Sequence, residues 1–420
     1  RRGDADIMLA GGHALTHPHD AAPVALTRSD ADAGTDTRPD ADSLADPDPA
    51  AGQRRHSFAG RRRTAALVRA RACLRRWLVD GHLASPRDDA EARDLAAAAS
   101  EQGLCGLLHA DIVSRGLLWP PAQVDSLRET QRWLLVRGVR QLDAAARVSR
   151  LLRDRGLRSL PLKGASLVET LYDSVADRAM ADVDILALDD WQASMRALRQ
   201  AGFRDTGAAD HARSFEDPVT GTLVELHHSI TSCPGLFPVD AEGLWARSVE
   251  AKGQIVRRPS VEDLLVHLAL HAAFQHGLVL SLVQYLDFRR LFERTPPDHE
   301  RLLAIAQASG ALGALAAAVA AATAVVGLDP PAVLADALSP RVPRGLRRAL
   351  EGARRDPLLL VAPSAPRLVR VRWALADRRR LALLSGTLGP REPGVPRRLH
   401  HAFIRAGTLA WRWGPLMNRA

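Results

Sequence analysis

Asp182-Val183-Asp184 puts two carboxylates two residues apart at the start of an apolar run, residues 183–188, that reads as a β-strand. Residues i and i+2 of a strand project from one face, so the two acids sit side by side. Like charges at that separation repel unless something positive lies between them, and a divalent cation is the usual solution. Glu225 is a third acid, in the alternating stretch Leu223-Val224-Glu225-Leu226-His227, where it projects opposite to Val224 and Leu226. If the two strands are neighbours, three carboxylates converge. Such a set can hold two metals across an in-line phosphoryl displacement. Asp182, Asp184 and Glu225 are therefore candidate catalytic and metal-binding residues, and their hard oxygens suit Mg²⁺ or Mn²⁺.

Upstream, Leu162-Lys163-Gly164-Ala165 reads as a strand-to-helix turn. Glycine permits close backbone approach there, and the following helix N-terminus offers free N–H groups to a phosphate. Lys163 is one of only two lysines, with Lys252, among 57 basic residues. Where Arg is the default, a retained Lys suits a role as a compact point charge toward a triphosphate. His227 shares a face with Glu225. It is read equally as a hydrogen-bond partner or acid/base for the carboxylates and as a satisfied strand histidine. His267 and His271 stand four apart on a helical pattern, but no Glu follows His267, so the metalloprotease motif is absent. Packing at a seam is the favoured reading of that pair, with His271 a candidate on the acceptor side of a cleft. Asp287 and Arg289 read as an ordinary surface or inter-helix pair.

These residues need a frame. Residues 1–60 are rich in Asp, Ala, Pro and Thr without an apolar period, and read as disordered. Residues 61–155 read as helical, with a long amphipathic segment over 127–157 that carries Trp133, Leu134, Val139, Leu142, Val148 and Leu151 and is closed by Gly156. The segment 156–258 alternates: strands at 157–162 and 183–188, a helix capped by Asp190, and a hairpin of 211–215 with 223–230 about the turn Asp217-Pro218-Val219-Thr220-Gly221. Helix returns over 259–355, opened by a Ser260 cap, and its Ala-rich run 311–328 reads as buried rather than membrane-spanning. Residues 356–420 form a basic tail containing Arg and Trp, with no assigned fold.

The run LPLKGASLVETLYDSVADRAMADVDILAL, residues 160–188, resembles the bacterial uncharacterised nucleotidyltransferase family of the DNA polymerase β-like superfamily. The shared features are the LKG turn, Tyr172 in the following helix, Arg178 four residues before the first Asp, and the DxD strand. VELHH at 224–228 is similar to that family's third-carboxylate strand, and EDLLVHLALHAAFQ and QYLDFRRLF to its downstream helices. Where superfamily members place Ser after the glycine, this chain has Ala165, with Ser166 one residue later. The resemblance implies an α+β fold, with a mixed-sheet nucleotidyltransferase core flanked by N- and C-terminal helical regions. It also implies that Lys163, Gly164, Ser166 and Arg178 hold phosphate, and that the nucleoside monophosphate of an NTP passes to an acceptor hydroxyl.

Cys73, Cys105 and Cys233 are far apart and form no CxxC pair, which excludes a disulfide framework and fits a reducing cytoplasm. Charge is uneven: residues 1–50 carry ten Asp against four Arg, and 341–420 eighteen Arg against four acids. The basic end is a candidate contact for nucleic acid or an anionic membrane, although helix solubilisation explains it more simply. The sequence leaves two rivals to an active transferase. One is a nucleotide- or partner-binding module without turnover, and the other is an accessory protein that works through the tail.

Overall fold

The computed structural model describes residues 49–208, 211–231, 237, 239–251, 257–342 and 344–362. Residues 56–420 cluster as one compact unit, distinct from residues 1–55. Four helices come first: α1 (Pro49–Asp80), α2 (Asp89–Glu101), α3 (Cys105–Arg115) and α4 (Pro121–Arg153). Residues 49–60 belong to α1, so the expected unstructured segment stops short of residue 60. Ala, Gln and Arg have high helix propensity, and a helix once nucleated propagates through such residues at little cost. Residues 1–48 lie outside those described.

The α/β stretch runs β1 (Ser159–Pro161), α5 (Lys163–Leu171), β2 (Val183–Ala187), α6 (Trp191–Gln200), β3 (Arg204–Ala208), β4 (Ala212–Glu216), β5 (Leu223–His227) and α7 (Ala241–Arg247), then a two-residue pair β6 (Val249–Glu250) and β7 (Arg257–Arg258). Every strand among the described residues falls within the expected 156–258. The larger sheet is mixed, with order β1-β2-β5-β4-β3; β2 and β5 are parallel and every other pairing is antiparallel. All five residues of β2 are buried, as a central strand requires. Helix α4 packs on β1, β2 and α6, while α5 packs on β2 and α9 (Leu282–Arg294). The strand β3 was not expected: its RDTGA sequence has no apolar alternation, and pairing with β4 alone holds it at the sheet edge.

Caps fall where side-chain chemistry puts them. Asp190 accepts from the Gln192 and Ala193 amides, and Ser260 accepts from the Asp263 amide. Gly156 adopts φ +72° just beyond α4, and the Leu157 amide reaches back to the Leu152 carbonyl at 2.9 Å. The apolar stripe of α4 differs from the expected one. Leu134, Leu142 and Val148 are buried, but Trp133 is 56% and Val139 42% exposed, and Arg137 covers the Trp133 ring at 4.9 Å.

After β7 come α8 (Val261–Leu270), a single wide π-type turn at His271–Gln275, α9, α10 (His299–Ala308), α11 (Leu312–Val326), α12 (Ala332–Leu338) and α13 (Arg344–Arg355). Helix α11, the Ala-rich run, is buried against α8, α9 and α13. Among the described residues no helix is long and apolar enough to cross a membrane. The start of the expected tail is docked: the Ala362 amide bonds the Leu280 carbonyl at 2.9 Å, and Gln102 donates to the Ala362 carbonyl at 2.7 Å. Residues 363–420, which carry most of the candidate nucleic-acid or membrane contact, lie outside those described.

Candidate active site

Parallel pairing of β2 with β5 sets Asp184 beside Glu225 in register, so the two strands deliver their carboxylates to one place. Asp184 is 3% exposed, and its Oδ1 accepts from Lys163 Nζ at 2.7 Å and meets His227 Nε2 at 2.8 Å. The same imidazole nitrogen lies 3.5 Å from Glu225 Oε2. Burial alone would favour the neutral acid at Asp184, but the His227 hydrogen bond and the Lys163 charge win, and its carboxyl titrates below the usual range. Burial pushes His227 the other way, toward neutrality, and its bonds to Asp184 and Glu225 outweigh that and raise its proton affinity. Glu225 is lowered by the His227 hydrogen bond, against the cost of burial. Sequence left the role of His227 open between a partner of the carboxylates and a satisfied strand residue; the geometry makes it a partner. The ring of His211 lies 5.1 Å from that of His227 and bonds Gln275 at 2.9 Å.

Asp182 takes a different position from the one expected. It lies in a bend just before β2, outside the pleat that would align it with Asp184, and is only half-buried. Its carboxyl is pushed up to about 6, first by burial and then by the negative charge of Asp184. Because the folded value exceeds the ordinary 3.8, ionisation opposes folding: the penalty is absent below about pH 4, grows toward pH 6 and is complete above. Asp182→Asn is expected to stabilise the metal-free protein at pH 8 by about 1–3 kcal/mol and to leave it unchanged near pH 3.5. Urea denaturation at both pH values checks this, and a difference that does not grow with pH would contradict it.

The turn that holds Lys163 is strained and tight. Lys163 adopts φ +45°, uncommon for a residue with a Cβ and a feature that clusters at functional sites. A Cβ at Gly164 would come within 2.6 Å of Arg178 Nη1 and 2.7 Å of the Met180 side chain, so any larger residue must displace one or both of these side chains. Ser166 corrects the expectation of a phosphate contact: it is buried, and its hydroxyl donates to the Pro161 carbonyl at 2.6 Å. That bond ties α5 to β1.

Arg178, implied by the resemblance to hold phosphate, is engaged by a carboxylate of α9. Its guanidinium is buried against Asp287 of α9, with Nη2 to Oδ2 at 2.8 Å, and Tyr172 donates to the other oxygen of the same carboxylate at 2.8 Å. Asp287 is thus no surface partner of Arg289, which bonds Glu293 and the Leu78 carbonyl instead. The loop from Arg178 to Asp182 is fixed twice more from α4: Gln141 donates to the Met180 carbonyl at 3.2 Å and Arg137 to the Ala181 carbonyl at 2.7 Å. None of these three positioning contacts was expected. The available signal was Asp287 itself, four residues from both Val283 and Leu291 on the buried stripe of α9.

The donor set fits a divalent cation. Asp184, Glu225 and His227 each offer one ligand atom, and these atoms all lie within 4.8 Å of one another. Oxygen donors suit Mg²⁺ or Mn²⁺, and an imidazole nitrogen makes the set softer than carboxylates alone. Asp182 stands outside this group. His271 begins the π-type turn, its ring 4.5 Å from that of His276 and 6.1 Å from that of His267, and burial holds it well below the ordinary histidine value. It has no hydrogen bond to the carboxylates that would place it in the reaction centre.

The family model described as "Uncharacterised nucleotidyltransferase" matches residues 88–327, more than half of the chain. The chain belongs to this family. Its match spans α2 to α11 and so includes every residue of the carboxylate site. Two solved structures are similar to the chain. The antibiotic-resistance factor ANT(2'')-Ia shares 14% identity with a TM-score of 0.31, over 40% of this chain and 90% of that one. An antigenic nucleotidyltransferase-like protein from Paracoccidioides brasiliensis shares 18% identity with a TM-score of 0.27, over 42% of this chain and 92% of that one. A search of curated proteins finds no match.

Proposed function

We propose that this family member is a metal-dependent nucleotidyltransferase that moves the nucleoside monophosphate of an NTP to an acceptor hydroxyl. The observation that carries the reading is the in-register pair Asp184 and Glu225, with Lys163 on the same carboxylate. Asp184, Glu225 and His227 would hold the divalent cation, with Asp182 beside them. The cation would neutralise charge on the phosphates and on the leaving pyrophosphate. In the transfer, the acceptor oxygen forms a bond to the α-phosphorus while the bond from that phosphorus to the α–β bridging oxygen breaks. Glu225 takes the acceptor proton, and pyrophosphate leaves. Lys163 exchanges its contact with Asp184 for one with the phosphates, a short move for a flexible ammonium at the start of α5. The fixed loop from Arg178 to Asp182 contributes alignment.

Calorimetry of each NTP with and without Mg²⁺, on wild type and on the Asp182→Ala, Asp184→Ala double variant, tests this. The expected result is Mg²⁺-dependent binding that the double variant loses. Binding without pyrophosphate release for any alcohol would favour a nucleotide-binding module without turnover. No binding to either protein would refute the reading.

A further inference from the structure

Asp184, Glu225 and His227 bring three ligand atoms together, and one of the three is nitrogen. His227 Nε2 lies 2.8 Å from Asp184 Oδ1 and 3.5 Å from Glu225 Oε2. Neighbouring ligands of an octahedral ion with bonds of about 2.1 Å stand about 3 Å apart, so these two separations bracket what a single ion needs. Among the described residues no other group of three His, Cys, Asp or Glu side chains comes together in this way.

Little room is left for the imidazole to swing aside and leave an all-oxygen site. His227 ends β5, and the parallel register with β2 sets it beside Leu186. It is 2% exposed, its ring lies 5.1 Å from that of His211, and His211 is tied in turn to Gln275 at 2.9 Å. An ion seated between the Asp184 and Glu225 carboxylates therefore meets Nε2. It meets the nitrogen lone pair, because an N–H pointed at a dication is repelled. The proton that the nitrogen holds in the metal-free protein is released to water, and Lys163 gives up the Asp184 oxygen that it bonds at 2.7 Å.

The nitrogen bears on which ion that is. Mg²⁺ is held through oxygen and gives up its waters reluctantly. First-row transition dications accept imidazole, and their affinity for a given site of nitrogen and oxygen donors rises from Mn²⁺ to Co²⁺. Asp182, the carboxylate that would make the set all-oxygen, lies in the bend before β2 and outside the group.

We infer that this site selects a first-row transition dication over Mg²⁺, and that His227, as a direct ligand, sets the choice. The inference rests on these side chains being the metal site of the proposed transferase, and not on the transfer itself.

The first test is pulsed EPR of the nucleotide-free full chain loaded with Mn²⁺. Nitrogen hyperfine coupling from a directly bound imidazole is expected in wild type, and its absence overturns the inference. The spectrum is read on wild type, so it decides the matter even where a variant fails to fold. The second test is calorimetry of Mn²⁺, Co²⁺ and Mg²⁺. Wild type is expected to hold Mn²⁺ about tenfold or more tighter than Mg²⁺, and Co²⁺ tighter again. His227→Gln offers an oxygen in place of the nitrogen. It is expected to lose the nitrogen coupling, to keep Mg²⁺ binding and to bring the ratio of the Mn²⁺ and Mg²⁺ affinities down to about threefold or less. Asp184→Asn is expected to weaken all three ions. Equal binding of Mn²⁺ and Mg²⁺ by wild type, an unchanged ratio in His227→Gln, or full binding by Asp184→Asn overturns the inference. Nitrogen-coupled Mn²⁺ in a protein that binds no NTP upholds the metal choice and removes the transferase reading. Mg²⁺-dependent NTP binding and pyrophosphate release without nitrogen coupling does the reverse.

Discussion

Asp184→Asn is expected to lower pyrophosphate release from Mg²⁺-NTP on the order of a thousandfold, with water or a simple alcohol as acceptor. Two contacts make Asp184 the residue with the largest effect: one oxygen accepts from Lys163 at 2.7 Å and meets His227 at 2.8 Å. Asn keeps the shape and an oxygen acceptor, so both neighbours retain a partner and the fold survives. What it loses is the negative charge, which at this buried position both attracts the cation and fixes the Lys163 ammonium. A thousandfold loss is about 4 kcal/mol of transition-state stabilisation, within reach of a single preorganised charge. Single-turnover assays at saturating NTP check the result. A variant within tenfold of wild type would show that the chemistry lies elsewhere. In the metal-free protein two carboxylates hold His227 in its charged form, and Asp184→Asn leaves one, so its proton affinity is expected to fall, as an NMR titration of the metal-free variant would read.

The largest stability effect is expected at Asp287. Asp287→Ala leaves the buried Arg178 guanidinium without its counter-charge and removes the acceptor of the Tyr172 hydroxyl. Breaking a buried pair from one side costs about 3–5 kcal/mol. Asp287→Asn keeps an oxygen for Tyr172 and removes the charge, and is expected to cost less, about 1–3 kcal/mol. The double variant Arg178→Met, Asp287→Leu is expected to recover most of the loss, because two apolar side chains have no uncompensated charge to bury. Urea midpoints of the four proteins give the answer directly. If the single and double variants lose equal stability, the pair contributes packing alone.

How much of this was legible in the sequence follows from how local each determinant is. The strand at β2, the Asp190 and Ser260 caps and the end of α4 at Gly156 depend on residues within one turn of each other, and the pattern alone locates them. The convergence of Asp184 with Glu225 needed one assumption, that β2 and β5 are neighbours, and the parallel register bears it out. Residues whose role depends on a distant partner were not legible. Ser166 was expected at a phosphate because of its place after the glycine, yet the carbonyl it bonds belongs to Pro161, on the other side of the turn. The resemblance implied a phosphate contact for Arg178, and its partner Asp287 lies 109 residues away on α9. Asp182 lies outside the strand pattern for a local reason: strand alternation applies only inside the pleat, and the strand begins one residue later.

The short loop that ends in Asp182 has its Arg178 side chain anchored by α9 and two carbonyls anchored by α4. Neither helix contributes a candidate metal ligand, and neither belongs to the 29-residue motif from Leu160 to Leu188. The motif is therefore not a transplantable cassette. A recombinant that carried residues 160–188 and β5 into a new scaffold would keep Asp184 beside Glu225 but inherit Asp182 without the anchors of its loop. Within the lineage, substitutions on α4 and α9 that touch no substrate would still be constrained, since they hold the loop that carries Asp182.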